Sequence, residues 1–402
     1  MKKLFVILVM LVAMNVNAQW VQMSNGMGSG GTIYSISEIG SNIFAGTENV
    51  GVFISTNYGV NWTQTPLNNQ SVRSIVTTGS NIFAGTSGGG VYLSTNNGTN
   101  WVQTTFNSQY VRSLAISGNS LFAGIGNTPT GTGGIYLSTN SGVNWTLKGL
   151  NDNDAGCILI NGIYIFAAAS NYNLGTGGLF LSTNNGNSWV QTSLNNKAVS
   201  SLAISGSNLF AGTDSGVYIS SNNGGAWTKT TLNYQVRCLS VNGNTLIAGT
   251  LGGVYLSTNS GSNWFLKNQG FGVNPSISSL LISNNYVFAG TYGAFVWRRS
   301  LSEIIGIQNI STETPSKYSL SQNYPNPFNP TTNIKFSIVN TGEVKLVVYD
   351  IQGREVQTLV NESLKPGTYE AAFDGSALNS GVYFYKLITN TFSETKKMLL
   401  IK

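Results

Sequence analysis

A repeated motif dominates the sequence between Phe44 and Thr291. It occurs six times in full and a seventh time in part, and it reads roughly Phe-Ala-Gly-Thr, a few small residues, and then Gly-Val-Tyr-x-Ser-Thr-Asn-x-Gly-x-x-Trp. Successive copies are 37 to 44 residues apart, as measured between the anchor residues Phe44, Phe83, Phe122, Phe166, Phe210, Ile247 and Phe288. A period of this length is typical of a protein in which one supersecondary unit is stacked on its own copies.

Each repeat contains four short runs with the composition of β-strands. In the third copy these runs are Val111–Ser117, Leu121–Ile125, Gly134–Ser138 and Trp145–Leu147, bounded by Gly, Asn or Ser. Runs rich in β-branched, aliphatic or aromatic residues between turn formers predict antiparallel strands. Four strands per repeat make one propeller blade, so the sequence predicts an all-β fold that begins with a seven-bladed β-propeller.

The number of repeats also predicts how the propeller closes. Seven anchors face only six tryptophans at the ends of repeats, which are Trp62, Trp101, Trp145, Trp189, Trp227 and Trp264. The missing one is predicted to be Trp20, because Trp20-Val21-Gln22 copies Trp101-Val102-Gln103. The N-terminal segment would then add the outer strand to the last blade, and closure would remove exposed sheet edges.

The turn before each tryptophan has its own chemistry. In the segment from Ser94 to Trp101, Asn96 can hydrogen-bond nearby backbone groups, and Gly98 can adopt a positive φ at little cost. This pattern resembles the Asp-box, or BNR, repeat of sialidases, sortilin-like receptors and photosystem assembly propellers, with Asn in the place of the family's usual Asp.

The resemblance implies that these turns are structural corners remote from any ligand. The residues concerned are Asn57, Gly59 and Trp62; Asn96, Gly98 and Trp101; Asn140, Gly142 and Trp145; Asn184, Gly186 and Trp189; Asn222, Gly224 and Trp227; and Asn259, Gly261 and Trp264.

The two ends of the chain differ from the repeats. Residues 1–18 have the pattern of a secretory signal peptide, with Lys2 and Lys3 before an apolar run and a cleavage site after Ala18. No other stretch is apolar enough to be predicted as a transmembrane segment. Residues 19–300 hold five acids and nine bases, whereas residues 317–402 hold seven acids and nine bases in under a third of that length. We therefore expect a propeller over residues 19–300, a linker over 301–316 and a second domain over 317–402.

The C-terminal domain is predicted to be a small Ig-like β-sandwich, because alternating strand-like runs follow one another from Ile334 to Ile401. Its sequence resembles the type IX secretion system sorting domain, type A, of Bacteroidetes. The residues that carry the resemblance include Asn323, Pro325, Asn326, Pro327, Phe328, Gly353, Arg354, Gly381, Tyr383, Lys396 and Lys397. The resemblance implies export through the periplasm, recognition by the type IX machinery, and release from the cell or attachment to its outer surface.

Composition excludes several classes of function. The chain has no histidine, so Ser-His-Asp relays, Cys-His relays and His-ligated zinc are excluded, and no metal or cofactor site is predicted. The net charge of +6 is spread along the chain, which argues against binding to nucleic acid. Cys157 and Cys238 occupy equivalent positions in non-adjacent repeats, so we expect two buried thiols and no disulfide.

Two sets of residues on the propeller face are candidates for function. Arg73, Arg112 and Arg237 each stand ten residues before an anchor, near the predicted channel mouth, where they either contact an anionic or polar ligand or bond loop carbonyls. Loop aromatics such as Tyr110 and Tyr234 either bind a neutral glycan or a peptide or pack within the loops. The sequence favours a non-catalytic binding or scaffold module. The alternative is an extracellular glycoside hydrolase that uses Asp152 or Asp154 together with Asp214.

Overall fold

The computed structural model describes residues 19–402 except 29–30, 108, 127–132, 152, 172–175, 244, 259, 294, 302–303, 305–306, 312 and 376–377. The chain divides into two compact units, one of them Trp20–Ile305 and the other containing Gly306–Lys402. In the described part of the chain, no helix has the length and apolarity that crossing a bilayer requires.

The repeats fold into a series of four-stranded antiparallel sheets. After β1 (Val21–Gln22), the first three sheets are β2 (Ile33–Ile39), β3 (Asn42–Thr47), β4 (Gly51–Ser55) and β5 (Thr63–Gln64); β6 (Val72–Thr78), β7 (Asn81–Thr86), β8 (Gly90–Ser94) and β9 (Val102–Gln103); and β10 (Val111–Ser117), β11 (Ser120–Ile125), β12 (Gly134–Ser138) and β13 (Thr146–Leu147).

Three further sheets follow in the same strand order. They are β14 (Asp154–Asn161), β15 (Tyr164–Asn171), β16 (Thr176–Ser182) and β17 (Val190–Asn195); β18 (Val199–Ser205), β19 (Asn208–Thr213), β20 (Gly216–Ser220) and β21 (Thr228–Lys229); and β22 (Val236–Asn242), β23 (Thr245–Thr250), β24 (Gly253–Ser257) and β25 (Phe265–Leu266). The seventh sheet combines β26 (Ile277–Ser283), β27 (Tyr286–Thr291) and β28 (Val296–Ser300) with β1.

The sheets form a closed ring. The first strand of each sheet contacts the first strand of the next, and β26 of the seventh sheet contacts β2 of the first. The prediction that the N-terminal segment joins the last sheet is confirmed, since Val21 pairs with Arg298. Trp20 is buried, donates its indole N–H to the carbonyl oxygen of Lys267 at 2.6 Å, and stacks on Phe271 with 4.9 Å between ring centroids.

The second strands carry the repeated Phe-Ala-Gly-Thr element and form the core between sheets. Phe44 is fully buried in a cluster with Ile75 and Trp101 of the second sheet. A Cβ added at Gly46 would lie 2.8 Å from a methyl carbon of Val72, so only glycine lets the two sheets approach this closely. Burying each anchor phenylalanine stabilises the ring by about 2–3 kcal/mol.

A hydrogen bond from strand to strand links neighbouring sheets and explains the position of Cys157. The hydroxyl oxygen of Ser35 accepts the backbone N–H of Ile75 at 3.0 Å, and Ser74 accepts that of Leu114 in the same way. Cys157 takes the equivalent backbone N–H of Leu202. Both cysteines are free and partly buried, and burial raises the pKa of Cys157 to about 11 and that of Cys238 to about 12.

The turns before the tryptophans have the predicted chemistry. The Asn96 Oδ1 accepts the backbone N–H of Asn100 at 2.9 Å, and the Ser94 hydroxyl accepts that of Gly98, whose φ is +80°. Asn97 also has a positive φ, of 54°, which the sequence pattern did not predict. The same Asn acceptor bond recurs at Asn57, Asn140, Asn184 and Asn222, whereas Asn259 lies outside the described residues.

The C-terminal unit contains two four-stranded sheets. One consists of β29 (Ile307–Ser311), β30 (Ser319–Leu320), β31 (Thr331–Ile338) and β34 (Gly367–Asp374), and the other of β32 (Gly342–Tyr349), β33 (Glu355–Leu364), β35 (Gly381–Thr389) and β36 (Ser393–Leu400). Both sheets contribute to one apolar core, with Phe336 from the first sheet and Tyr385 from the second fully buried in it.

The linker expected over residues 301–316 is not a linker throughout. Leu301 and Ile304 are buried in the core cluster that contains Trp20. Ile307–Ser311 forms β29, which pairs with β34. The Ser, Thr and Glu content of this segment concealed a short edge strand, because β29 is paired with β34 through backbone groups, which polar and apolar residues share.

Candidate functional site

Every first strand in the ring of sheets has a β-bulge at the same place. The register of its pairing with the second strand shifts around one residue near the start of the strand. The residues at the shift are Tyr34, Arg73, Arg112, Gly156, Ser200, Arg237 and Ser278. A bulge redirects a side chain that a regular strand would place on a sheet face. The three predicted arginines are therefore members of one sevenfold set.

This set surrounds a cavity of about 270 Å³. All the bulge residues except Arg73 line it, together with Asp154, Lys197 and Tyr292 among others. Loops that enter first strands and turns between second and third strands lie on this side of the ring, which we call the channel face; the opposite side, with the tryptophan turns, is the box face. The side chains around the cavity are mostly polar or charged, which distinguishes it from the apolar voids left by imperfect packing.

A second cavity, of about 340 Å³, lies on the box face between the third and fourth sheets. Its lining includes Phe122, Ile163 and Asn184, with no charged side chain among the residues that line it in the described part of the chain. The cavity on the channel face is the better candidate, because it alone brings charged groups together.

Arg112 and Asp154 form an ion pair at the cavity. Asp154 is 5% exposed and Arg112 is 36% exposed, so the carboxylate is shielded and the guanidinium reaches solvent. Asp154 is the first residue of β14, and its backbone pairs with Ser170. The sequence placed Asp154 in a loop, but the strand begins earlier than the apolar run suggested.

Tyr34 belongs to a second cluster, with Glu48 and Arg73. Its hydroxyl donates to the Glu48 carboxylate at 2.7 Å, and Thr32 donates to the same carboxylate at 2.8 Å. Burial and the Glu48 hydrogen bond raise the pKa of Tyr34 to about 12. The hydrogen bonds from Tyr34 and Thr32 lower the pKa of Glu48.

Arg73 lies over the aromatic ring of Tyr34, with its guanidinium carbon 3.9 Å from the ring centroid. Its Nε donates to the Ser87 hydroxyl at 3.0 Å, and the ring of Tyr110 is 5.7 Å from the guanidinium carbon. The predicted pair Arg73 and Tyr110 is thus brought together, as part of a cation–π cluster that fixes the arginine.

Arg237, on the sixth sheet, is held by Tyr292 of the seventh sheet. Its Nη1 donates to the Tyr292 hydroxyl at 2.8 Å, and its guanidinium carbon lies 4.9 Å from the centroid of the same ring. The Arg237 Nε is buried and has no hydrogen-bond partner among the described residues. Tyr292 therefore positions this arginine in the lining of the cavity, where its guanidinium charge suits an anionic ligand group.

The remaining predicted residues lie elsewhere. Tyr234 is exposed and stacks on Tyr255 with 5.1 Å between ring centroids. Asp214 is exposed, begins the turn between β19 and β20, and does not line the cavity; Asp152 lies outside the described residues. Sequence reasoning missed Tyr34, Tyr292 and Lys197 as site residues. The signal for Tyr34 was available, since Tyr34 occupies the repeat position of the three arginines.

The chemistry of the cavity follows from these groups. Arg112, Lys197 and Arg237 supply positive charge, and Asp154 is the one carboxylate among the described lining residues. Because Asp154 is engaged by Arg112, the remaining cations suit anionic or polar ligand groups. The described residues hold no cluster of three or more His, Cys, Asp or Glu side chains that could bind a metal ion.

In the C-terminal unit, Asn323 is a buried hydrogen-bonding centre. Its backbone N–H donates to the Tyr385 hydroxyl at 2.8 Å, and its side-chain amide donates to the carbonyl of Pro325 and to the Thr332 hydroxyl, each at 3.0 Å. The Asn323 segment is therefore fixed to both sheets of the unit. Pro325 and Pro327 each follow a cis peptide bond.

The segment after Asn323 is tied to the end of the chain. Phe328 is buried and forms a parallel bridge with Leu400, and the Asn326 side chain accepts the backbone N–H of Leu399 at 3.0 Å. Lys396 and Lys397 lie on the same final strand, and Lys396 forms an ion pair with Glu394 at 3.0 Å. The two ends of the motif thus form one structural element.

The other predicted motif residues make local contacts. Gly353 has a φ of 76°, as expected for its turn, and Arg354 donates from its backbone and its side chain to Asp350. These hydrogen bonds outweigh desolvation and lower the pKa of Asp350. Gly381 begins β35, and the Tyr383 hydroxyl donates to the carbonyl of Asn379 at 2.9 Å.

Comparison with known structures identifies the fold of the ring. YCF48 bound to D1 peptide is similar over 70% of this chain and 96% of its own, at 15% identity and a TM-score of 0.55. YCF48 from Cyanidioschyzon merolae is similar over 70% and 98%, at 14% identity and a TM-score of 0.53. An ancestral GH74 enzyme is similar over 94% of this chain but 63% of its own, at 15% identity and a TM-score of 0.56. These neighbours are β-propellers, and at such identities they show the fold alone.

Sequence comparison identifies the C-terminal unit. No curated protein is similar enough in sequence to count as a match. Residues 322–402 match the family described as the secretion system C-terminal sorting domain. The chain thus joins a unit with the β-propeller fold to a type IX sorting domain, which implies secretion or delivery to the outer surface of the cell.

Proposed function

We propose that this chain is a secreted or surface-attached seven-bladed β-propeller that acts as a non-catalytic binding or scaffold module. Residues 1–18 would be the signal peptide, each of the seven sheets one blade, six of them with an Asp-box turn, and the Ig-like sandwich the export signal. Seven sheets whose first strands contact one another around a closed ring support this count of blades.

The state of Asp154 is the observation that carries the non-catalytic assignment. A glycoside hydrolase needs two carboxyl groups about 5–10 Å apart, one of them free to give a proton. The described lining of the cavity contains one carboxylate, and that group is shielded and paired with Arg112. The cavity is therefore equipped to hold polar or anionic groups rather than to protonate a leaving group.

The occupant of the cavity would be part of a glycan or a peptide. Tyr34 and Tyr292 offer aromatic rings, and Arg237 offers hydrogen-bond donors. One propeller of the same fold has been solved with a peptide bound, which agrees with a binding role at the level of fold only. Export places the partner outside the cell.

Gly156 allows a direct test of the cavity. A Cβ at this bulge residue would meet no atom within 4 Å, and its φ lies outside the left-handed region, so a large side chain can enter the cavity without strain. Full-length protein, Gly156→Phe and the control Gly156→Ala would be assayed against panels of polysaccharides and peptides. We expect retention of a ligand without chemical change, lost in Gly156→Phe and kept in Gly156→Ala.

The same panels test the hydrolase alternative. Release of sugar that disappears in Asp154→Asn or Asp214→Asn would reject the non-catalytic assignment. Binding that is unchanged in Gly156→Phe would reject the cavity as the site.

Export has its own test. Deletion of Ile307–Lys402 removes β29 together with β34, the strand with which it pairs, and with the rest of the sandwich. The truncated protein therefore keeps no unpaired strand of the C-terminal unit. We expect the truncated protein to remain in the periplasm, folded and resistant to protease. Its arrival outside the cell in the amount seen for the full chain would reject the sorting role.

A further inference from the structure

In the described part of the chain, the large apolar side chains exposed on the channel face belong to two neighbouring sheets. Among the described residues, the large apolar side chains that are exposed on this face are Tyr234 (58%), Leu251 (49%), Val273 (79%) and Tyr292 (41%). They lie in loops and turns of the sixth and seventh sheets, and we call them the apolar patch. Soluble proteins rarely gather such residues without a binding role.

The patch is continuous with the cavity. The Tyr292 N–H donates to the carbonyl of Ser276, in the loop that carries Val273, at 3.0 Å. The Tyr292 hydroxyl accepts a hydrogen bond from Arg237. The backbone links Arg237 to Leu251, because Arg237 follows Val236, Val236 pairs with Thr250, and Thr250 precedes Leu251. The ring of Tyr292 therefore lies against the guanidinium of Arg237, and backbone pairings join this pair to the loop that carries Val273 and to the turn that carries Leu251.

The patch is also held in place before any partner arrives. Tyr234 stacks on Tyr255 at 5.1 Å, and Leu251 stands in a tight turn between two strands. A side chain that is already ordered loses little entropy on binding, which favours affinity.

The chemistry of the patch selects one kind of occupant. Leu251 and Val273 are aliphatic, so they favour apolar side chains over the hydroxyl-covered faces of sugars. Arg237 brings a guanidinium charge to the lining of the cavity, so it favours a carboxylate beside those apolar groups. Polypeptides carry both kinds of group a few ångströms apart.

We propose that the apolar patch binds a segment of another polypeptide in which apolar side chains flank an aspartate or glutamate. The carboxylate enters the cavity at Arg237, and the apolar side chains cover Leu251, Val273 and the two tyrosines. This inference rests on the proposed binding function and specifies its partner. A contact confined to four side chains and one cation is smaller than a standard interface, so we expect affinities of about 1–100 μM.

The probe is a displayed library of random dodecapeptides, panned against the full-length protein. We expect enriched peptides to combine Asp or Glu with Leu, Ile, Val or Phe. Synthetic copies should bind about tenfold more weakly to Leu251→Asn and to Val273→Asn, because each exposed contact contributes about this factor. Arg237→Gln should remove the preference for an acidic residue.

Valines on the outer strands provide matched controls. Val102 and Val190 are 68% and 69% exposed, and Val102→Asn and Val190→Asn should bind the peptides as the unchanged protein does. Thermal melting of every variant verifies that the fold is intact.

Three results would overturn the inference: no enrichment, enriched peptides without acidic residues, or binding that Leu251→Asn leaves unchanged. An oligogalacturonate that binds in an Arg237-dependent way while no peptide does would assign the patch to acidic glycans instead. Failure of this kind is distinct from failure of the proposed function, which would show as sugar release that depends on Asp154.

Discussion

Arg112 and Asp154, on the first strands of adjacent sheets, form an ion pair in the wall of the channel cavity. Arg112 is a predicted ligand contact, and Asp154 is a predicted catalytic carboxylate of the hydrolase alternative. Because the two charges are paired with each other, Arg112 is less available to an anionic ligand and Asp154 is less able to act as an acid or a nucleophile. The positive charge left for a ligand in the described lining of the cavity is at Lys197 and Arg237.

Replacing Asp154 by Asn should destabilise the ring of sheets. The substitution removes the negative charge that faces Arg112, at a site where the carboxylate is only 5% exposed. We expect a loss of about 1–2 kcal/mol in the free energy of unfolding, less than for a fully buried pair because Arg112 reaches solvent. Urea denaturation measures the loss. The control Asp214→Asn, at an exposed turn, should change the free energy of unfolding by less than about 0.5 kcal/mol. Equal losses in the two variants would contradict a stabilising role for the Arg112–Asp154 ion pair.

Replacing Trp20 by Ala should be among the most damaging single changes in the ring. The indole is 1% exposed, stacks on Phe271, and bonds the carbonyl of Lys267. Truncation should cost about 3–5 kcal/mol and weaken the closure by β1. Denaturation of Val21→Ala, whose side chain is 45% exposed, provides the comparison and should show almost no loss.

The tryptophan turns should accept Asp in place of Asn. The Asn96 Oδ1 accepts from Asn100 and from the Ser94 hydroxyl, and a carboxylate oxygen can accept the same two bonds. We expect Asn96→Asp to melt near the temperature of the unchanged protein and Asn96→Ala to lose about 1 kcal/mol. Equal melting of the two variants would show that the acceptor bonds do not hold the turn.

Stability in acid should depend on the Tyr34–Glu48 contact. Hydrogen bonds from Tyr34 and Thr32 lower the pKa of Glu48 in the folded state. A lowered carboxyl pKa stabilises the fold above the ordinary value of 4.5, and the contribution is lost as pH falls through the lowered pKa. Tyr34→Phe removes one of the two donors to Glu48. The free energy of unfolding of this variant should therefore fall less steeply than that of the unchanged protein between about pH 5 and pH 3. Denaturation midpoints across this range test the difference, and parallel curves would count against it.

The two thiols should be unreactive in the native protein. Burial raises the pKa of Cys157 to about 11 and that of Cys238 to about 12, so the thiolate fraction is very small near pH 8. An aromatic disulfide reagent should label neither residue until guanidinium unfolds the chain, after which both should react. Cys157→Ser should fold normally, because serine makes the equivalent bond in other sheets. Rapid native labelling would mean that the first strands open.

The ring could be predicted in detail because its information is local and repeated. The four strands of the third repeat were predicted within a residue or two of β10 to β13, and Trp20 was assigned to the last sheet from a copied tripeptide. The strand Ile307–Ser311 was missed since its pairing with β34 is a long-range contact without a sequence signature.

The site was predicted less completely. The repeat position of Arg73, Arg112 and Arg237 indicated the channel mouth, but a bulge has no distinct composition, so the redirection of these side chains could not be read from the strand pattern. The ion pair of Arg112 and Asp154 depends on how two sheets pack, so it could not be predicted from either strand alone. The hydrogen bond from Arg237 to Tyr292 joins residues that are 55 apart in the chain, and no local pattern indicates it.

The strand that closes the ring precedes all the other strands of the ring in the chain, and its partner β28 follows all of them. Until translation passes Val296, the N-terminal segment has no place to pair, and β27 remains an open edge. The sorting domain is made later still. Every molecule that carries the C-terminal sorting domain therefore also contains the residues that complete the circle, so a product terminated before residue 322 would lack the export address.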